Sequence, residues 1–322
     1  MNPATRGGLA LLALALGVPL ELAAQGAGTA GAQVLQLPAG SRAAGLSGAY
    51  TAADGDADVV FYNPAGLASL QLAAGASYQR HVESVRLGSG AGALRLGGVV
   101  LGFGVAYLDA GDITVVEPDA RFGGERGTST GRVASAREAA ARLAVAVPLV
   151  ARRMRVGAAA GFVSSELDEV GRSAPVLDAG VQYLATPFLT IGAAVLNLGP
   201  SLSGDAAADA PLPTEIRTGV LVELEPAAGL GVVASLDLAH RFEEGATIVA
   251  AGLEAGLVPG AARPFGAVAR IGYDAGTGGD GLGPLRLGGS VSLRGIAVDY
   301  TYQSLDFFGA VHRIGVRWVR LP

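Results

Sequence analysis

Few side chains in this sequence could carry out catalysis. The chain has no Cys and no Lys, which excludes a thiol nucleophile, a thiolate metal site, a Schiff base and a phosphate-loop lysine. Its three histidines, His81, His240 and His312, are far apart and lack the defined spacing of metal ligands. We therefore predict that the protein is not an enzyme and that it has no metal site and no cofactor.

Three aspartates at alternate positions, Asp54, Asp56 and Asp58, resemble the start of an oxygen-ligand calcium loop. The last position of such a loop needs a bidentate Glu, and this sequence has Ala65 there. We predict a solvated turn instead of a calcium site. Its negative charge is expected to face Arg42 or arginines elsewhere in the chain.

The composition is unusual for a soluble protein. Half of the 322 residues are hydrophobic, 16% are charged, 50 are glycine and the mean hydropathy is +0.43. Soluble domains carry about a quarter charged residues, so this composition favours a surface that faces lipid. The formal net charge of -5 argues against a nucleic-acid partner, because phosphate binding needs a basic surface.

Residues 1–25 have the pattern of a secretory signal peptide. Arg6 gives the positive start, residues 7–20 the apolar core, and Leu22-Ala23-Ala24 a small-residue cleavage site. The apolar core is shorter than the roughly 20 residues that a transmembrane helix needs, and no later run is long enough. We predict an exported protein without a helical span.

From residue 71 onward, apolar and polar residues alternate with a period of two. In one stretch Ile296, Val298 and Tyr300 alternate with Asp299 and Thr301, which is typical of strands with one apolar and one polar face. About fourteen such runs occur, and their connections are alternately short and mostly longer. This predicts an all-β fold in which residues 71–322 form a transmembrane antiparallel β-barrel, rather than a soluble sandwich, with both termini periplasmic. The charged positions expected to face the lumen are Arg217, Glu223, Arg286, Arg294 and Asp299.

Residues 26–70 do not alternate and are predicted to form a compact hatch, or plug, inside the lumen. Asn63 precedes a proline, so its side chain is expected to cap a short helical turn that begins at Pro64. Glycines and alanines upstream lack side-chain bulk and allow close packing against a surrounding wall. The residues assigned to the hatch are Arg42, Gly45, Gly48, Tyr50, Asn63, Pro64, Ala65, Gly66 and Leu67.

This segment resembles the N-terminal hatch of the PorV/PorQ family, which are outer-membrane barrels related to FadL. The resemblance continues in the same order through most of the chain, at residues 108–112, 197–200, 212–217, 237–240 and 312–313. It implies a barrel in the bacterial cell outer membrane, surrounded by lipid.

Residues 109–134 are predicted to form a long outer loop. Loops of this length are usually functional or disordered, and we expect this one to be a contact surface for a partner. The residues assigned to outer-loop contacts, including three in the later motifs of the resemblance, are Asp109, Asp112, Glu117, Arg121, Asn197, Pro213 and Glu215.

Two functions follow as hypotheses, beside a third possibility, a purely structural barrel. The resemblance to PorV/PorQ implies a component of type IX secretion that receives exported cargo proteins, with other secretion components as partners. The alternative is a FadL-like channel that passes small hydrophobic molecules, with the hatch as its gate. A channel predicts an apolar pocket in the lumen beside the hatch, whereas a cargo receptor predicts an open groove at the outer loops.

Overall fold

The computed structural model describes residues 29–80, 85–119, 126–150, 153–204, 209–259, 264–275, 283–305 and 309–320. The predicted signal peptide and Arg121 lie outside these ranges. No helix within them is long and apolar enough to cross a membrane.

The described residues form fifteen strands, and fourteen of them close into one antiparallel barrel. Consecutive barrel strands pair, and β15 pairs with β1 to close the wall. The short β8 lies in the connection between β7 and β9 and pairs with β6. The predicted 14-strand barrel is therefore confirmed. The strands are β1 (Leu72–Arg80), β2 (Arg86–Leu96), β3 (Val99–Pro118), β4 (Gly127–Leu149), β5 (Met154–Leu167), β6 (Val170–Thr186), β7 (Leu189–Leu198), β8 (Ser203–Gly204), β9 (Glu215–Ala227), β10 (Leu230–Arg241), β11 (Ala246–Leu257), β12 (Phe265–Asp274), β13 (Leu285–Leu293), β14 (Ile296–Ser304) and β15 (Ala310–Arg320).

The two ends of the barrel differ. At one, the turn end, β2–β3, β6–β7 and β13–β14 are joined by two-residue turns, and β1 begins and β15 ends there. At the other, the loop end, most connections are longer. One connection at the loop end is shorter than predicted, because residues 167–173 hold only the turn Asp168-Glu169 between β5 and β6.

The polarity of the two faces of the wall is the reverse of that in a soluble protein: the outer face is apolar and the inner face is polar. On β14 the outward residues Ile296, Val298 and Tyr300 are 51%, 52% and 44% exposed, whereas the inward residues Asp299 and Thr301 are 0% and 4% exposed. Apolar side chains are thus outside and charged ones inside. This arrangement suits a barrel with lipid around it and polar groups in its lumen.

The predicted outer loop at residues 109–134 is wrong, because most of it is β-structure. β3 continues to Pro118 and β4 starts at Gly127, so the two strands form one long hairpin. β2 pairs with β3 only as far as Asp109, so the hairpin projects past its neighbour. A bulge at Gly111 (φ 80°) interrupts the alternation, and Thr114 to Val116 are β-branched and favour extended backbone.

Residues 29–70 lie inside the ring of strands, and we call them the plug. The plug contains the α-helical turn α1 (Ser41–Gly45) and three 3-10 turns, Gln33–Leu35, Ala57–Phe61 and Pro64–Ser69. Thr29 Oγ1 donates a hydrogen bond to the carbonyl of Glu243 at the loop end, and β1 begins at the turn end. The plug therefore crosses the lumen. Within the described residues, Thr29 lies at the loop end and Arg320 at the turn end, and the periplasmic placement of both termini stays a prediction.

Glycines on the inner wall let the plug approach the strands at backbone distance. A Cβ at Gly272 would lie 2.6 Å from Ser47 N, and a Cβ at Gly315 would lie 2.8 Å from Ser41 Cβ. At Gly157 it would overlap the backbone of Pro64, where no side chain can give way. The other inward glycines against the plug include Gly102, Gly104, Gly180, Gly192, Gly219 and Gly252.

We expect Gly157→Ala to destabilise the protein, because its methyl group has no space beside Pro64. Overpacking of this kind costs about 1–3 kcal/mol of unfolding free energy, which urea titration in detergent would measure. Gly171→Ala on β6 is the matched control, since a Cβ at Gly171 would have open space for 4 Å around it. Equal stability of the two variants would contradict close seating of the plug.

Candidate functional site

Asn63 fastens the plug to two strands of the wall. Its Nδ2 lies 2.8 Å from the Thr51 carbonyl oxygen in the plug, 3.1 Å from that of Val181 on β6 and 3.3 Å from that of Ala193 on β7. Its Oδ1 accepts from Ala65 N, so the predicted cap of the turn Pro64–Ser69 is confirmed. The side-chain amide of Asn63 thus caps the turn and binds the wall at the same time.

A second fastening joins the plug to β9 and β10. The backbone nitrogens of Tyr50 and Thr51 donate to Asp237 Oδ2 at 2.9 and 2.8 Å, and Thr51 Oγ1 donates to the same oxygen at 2.6 Å. Arg217 Nη2 lies 3.2 Å from that oxygen. Oδ2 of this buried carboxylate is therefore satisfied mainly by plug donors, whereas Oδ1 has no hydrogen-bond partner among the described residues. Hydrogen bonds to an ionised acceptor are stronger than those between neutral groups.

A closed ring of ion pairs holds the turn-end half of the plug. Three arginines alternate with three carboxylates, and two of the six side chains belong to the plug while four come from β11, β12, β14 and β15. In order around the ring they are Arg42, Glu254, Arg270, Asp299, Arg317 and Asp56.

Two of the ring residues, Arg42 and Asp56, belong to the plug. Arg42 Nε lies 3.2 Å from Glu254 Oε2, and Arg42 Nη1 lies 3.2 Å from Asp56 Oδ2. Asp56 also accepts from Tyr50 Oη at 2.5 Å and lies 3.4 Å from Arg317 Nη1. Asp56 thus bridges the plug and the last strand of the barrel.

The wall closes the rest of the ring. Arg270 pairs with Glu254 and lies, through Nη1, 2.8 Å from Asp299 Oδ1. Arg317 Nε lies 2.6 Å from the other oxygen of Asp299. Buried charges are costly unless they are paired, and each charge in the ring has two partners.

The acidic run is buried, so the predicted solvated turn is wrong. Asp56 and Asp58 are 1% and 4% exposed, and Asp54 pairs with Arg155 at 2.6 Å. The expected pairing with Arg42 occurs at Asp56. The run is buried because the plug carries it into a lumen whose wall supplies the arginines.

Asp58 lies beside the ring. Burial, and then the neighbouring Asp56 carboxylate, raise the pKa of Asp58 from 3.8 to about 7. Asp299 raises this pKa further, while Arg317 and Arg313 lower it. Asp58 is therefore a buried carboxyl group that keeps its proton well above the usual pH range of aspartate.

A cavity of about 390 Å³ lies in the lumen between the plug and the loop end. Its apolar lining includes Val34, Leu37 and Phe61 from the plug and Ile248 and Val311 from the wall. Its polar lining is rich in charge and includes Gln79, Arg241, Asp274, Arg286 and Arg313. Two polar atoms at its edge, Gln36 Nε2 and Ser47 Oγ, have no hydrogen-bond partner among the described residues. The cavity is amphipathic, where the channel hypothesis predicted an apolar one.

The structure brings together most residues assigned to the lumen. Arg217 touches the plug, Arg286 pairs with Asp274, Asp299 belongs to the ring, and Glu223 lies on the inward row of β9 near the turn end. Arg294 is wrongly placed by the sequence pattern. It is exposed in the two-residue turn between β13 and β14 with φ 51°, because the strand ends one residue earlier.

Three residues assigned to outer contacts are buried instead. Asn197 donates through Nδ2 to the Pro213 carbonyl oxygen at 3.0 Å, and Asn197 is 2% exposed. Pro213 is buried too, and Glu215 pairs inside the barrel with Arg217 at 3.2 Å. The connection after β7 folds inward at this point, so these residues present no surface to a partner. Asp112 and Glu117 are exposed on the projecting hairpin, and Asp109 is half-buried at its base.

Several interior residues were missed in the sequence. Gln182 is fully buried and donates to the carbonyls of Thr51 and Ala53. Arg142 pairs with Asp178 at 2.7 Å beside the cavity. Each stands at a polar position of an alternating strand, so the alternation carried a signal. It did not show which polar positions face the plug.

One sequence motif of a nucleophile lies in the part of the chain that the structure describes. Residues 127–131 read Gly-Thr-Ser-Thr-Gly, but Ser129 lies exposed in the hairpin and its Oγ accepts from Gly131 N. The nucleophile motif of that form needs a turn between a strand and a helix. Within the described residues, no three His, Asp or Glu side chains are grouped to hold a metal ion.

Arg42→Ala should weaken the plug, because it leaves the buried carboxylates of Asp56 and Glu254 short of a partner. Breaking a buried pair costs about 3–5 kcal/mol, so we expect that loss in urea unfolding and a higher single-channel conductance in planar bilayers. Arg132→Ala is the control, since Arg132 is 66% exposed and pairs with Asp168 outside the lumen; exposed pairs contribute about 0–1 kcal/mol. If both variants behave alike, the ring does not hold the plug.

Asp58 should make stability depend on pH. The folded protein keeps this proton at a pH where the unfolded chain has lost it, so the unfolding free energy falls as pH rises from 3.8 to about 7 and is level above. The contribution is up to about 1.4 kcal/mol per pH unit. Asp58→Asn should remove this slope in urea unfolding measured across the range. Parallel pH profiles of the two proteins would contradict the assignment.

Comparison with known proteins supports the architecture. No protein-family model matches the sequence, and no curated protein sequence matches it. Solved structures do match. The toluene transporter TbuX of Ralstonia pickettii is 14% identical over 87% of this chain and 98% of its own, with a TM-score of 0.58. The toluene transporter TodX of P. putida is 9% identical over 92% and 97%, with a TM-score of 0.55.

A third match is a FadL homologue of Pseudomonas aeruginosa, 8% identical over 87% of this chain and 98% of its own, with a TM-score of 0.51. At these identities the likeness concerns the fold. The chain has the fold of the FadL-type β-barrels.

Proposed function

We propose that this protein is an outer-membrane channel that passes small hydrophobic molecules into the bacterial cell. The observation that carries the proposal is the amphipathic cavity between the plug and the loop end. Its apolar side is formed by Val34, Leu37 and Phe61 of the plug, so a bound molecule would touch the segment that must move for passage. The toluene transporters of the same fold support this choice.

The membrane location is part of the proposal. The outward faces of the strands are apolar, as on β14, and the short turns lie together at one end. In outer-membrane barrels short turns are periplasmic and longer loops are external. The loop end, with the cavity beneath it, would then face the outside, and Arg320 the periplasm.

The polar side of the cavity indicates which small hydrophobic molecules it would bind best. Gln36 Nε2 and Ser47 Oγ are donors without partners, and Arg313 reaches the cavity from β15. A buried donor gains by meeting an acceptor. A small apolar molecule that carries one polar group would fill the cavity better than a pure hydrocarbon.

Uptake of radiolabelled toluene and benzyl alcohol by a host bacterium that expresses the protein tests the proposal. We expect faster uptake than in cells without it, with benzyl alcohol favoured. Ala246→Phe on β11 should reduce uptake towards the background, because Ala246 lines the cavity. Ala255→Phe is the control, since Ala255 lies exposed on the same strand.

Uptake equal to that of cells without the protein would refute the channel and favour a second candidate, the type IX secretion role implied by the PorV/PorQ resemblance. One observation fits that role, the β3–β4 hairpin that projects past β2. Affinity capture from outer membranes would then have to recover exported proteins that share a C-terminal domain.

A further inference from the structure

Three arginines lie in one row across neighbouring strands on the outside of the barrel at its loop end. Arg80 on β1 pairs in register with Arg86 on β2, Arg86 pairs with Asp109 on β3, and Asp109 pairs with Arg137 on β4. The arginines are exposed. Strands lie about 4.8 Å apart, so the three positive charges fall within one stretch of the rim.

These arginines differ from most of those in the lumen. Among the described residues no carboxylate lies within ion-pair distance of Arg80, Arg86 or Arg137, whereas the arginines of the ring have two partners each. Two carboxylates belong to the same row: Asp109 lies between Arg86 and Arg137, and the exposed Glu166 on β5 lies in register beside Arg137. Neither is within ion-pair distance of these arginines, and Asp109 Oδ1 accepts from Gly111 N at 3.0 Å. Their charge is therefore available to a partner outside the chain.

A depression of about 580 Å³ lies in the wall just below this row. Its floor is made of small outward residues, which include Gly88, Gly90 and Ala141, and aromatic side chains of Tyr107 and Phe162 stand beside it. Gly88 is two residues from Arg86 on the same strand, so the depression begins about 7 Å below the arginines. The lining is apolar throughout most of its surface.

The two features together fit one kind of partner. A depression in an apolar, lipid-facing wall accepts a hydrocarbon chain, and arginine guanidinium groups recognise phosphate through paired hydrogen bonds. Tyrosines such as Tyr107 favour the boundary between the two environments. A phosphorylated lipid has its charged and apolar parts in the same order, from the rim towards the membrane centre.

We propose that strands β1 to β5 hold one phosphorylated lipid, with its phosphate on Arg80, Arg86 and Arg137 and an acyl chain in the depression below. The proposal rests on the proposed membrane location and not on the passage of any solute. This lipid would stay bound to the outer face of the barrel, whereas the surrounding membrane lipids exchange freely.

The test uses the full chain in phosphatidylcholine nanodiscs doped with bisphosphorylated lipid A. After transfer to mild detergent, native mass spectrometry counts the glycolipid retained on each barrel. We expect one retained lipid A per barrel, and roughly a ten-fold or larger loss in the double variant Arg80→Gln, Arg86→Gln, since charge-assisted hydrogen bonds disappear. Gly88→Leu should lose it too by filling the depression, and it should fold, since a Cβ at Gly88 would meet no atom within 4 Å.

Two controls separate this site from general effects. Arg294→Gln removes an exposed arginine at the turn end, and Gly171→Leu adds the same bulk to β6 where there is also open space. Both should retain the lipid, and a dephosphorylated form of the glycolipid should not be retained by the native chain.

The proposal would be overturned if the arginine double variant and Gly88→Leu both retain lipid A as the native chain does. It would also be overturned if the native chain retains the dephosphorylated form equally well. A mass of two barrels that Gly88→Leu reduces to one would assign the depression to a second copy of the chain instead. Gel mobility shows separately whether the barrel is folded. A folded native chain that fails to insert into nanodiscs would refute the membrane location itself.

Discussion

The structure depends on pairing the charges that a barrel with an apolar outer face places in its lumen. An alternating strand with an apolar outer face places its arginines and carboxylates in the lumen, where burial makes each unpaired charge costly. The wall alone does not pair them all. Arg42 and Asp56 of the plug complete the ring between Glu254 and Arg317, so plug and wall form one electrostatic unit.

The plug is held unevenly along its length. Its turn-end half is fixed by the ring, by Asn63 and by backbone contact with inward glycines such as Gly157. Its loop-end part, residues 29–39, contains no charged residue and is held by hydrogen bonds such as that from Val34 N to Glu138 Oε2 at 2.6 Å. Residues 33–39 line the cavity. A solute arriving from the loop end would meet the less constrained part first. Rearrangement of that part costs fewer buried ion pairs than withdrawal of the whole plug.

Much of the fold could be predicted from the sequence, because strict alternation fixes which face of each strand is apolar. The cap at Asn63 was also predictable, since a residue before proline has few local options. The hairpin beyond Asp109 could not be predicted, because the bulge at Gly111 breaks the period. The ring of ion pairs could not be predicted from the sequence for another reason. Arg42 and Glu254 are separated by 212 positions, and alternation places a side chain inside the barrel without showing its neighbour.

Closure between β1 and β15 has a consequence for assembly. Arg317 and Gly315 of β15 touch the plug, which precedes β1 in the chain, so the last strand meets the first segments of the protein. Until β15 arrives, Asp56 lacks one of its two arginine partners and Asp299 lacks Arg317. An open sheet therefore carries unpaired charges on the surface that will become the lumen. Pairing of β15 with β1 joins these charges and closes the wall at the same time, so a barrel with a misplaced plug would be less able to close.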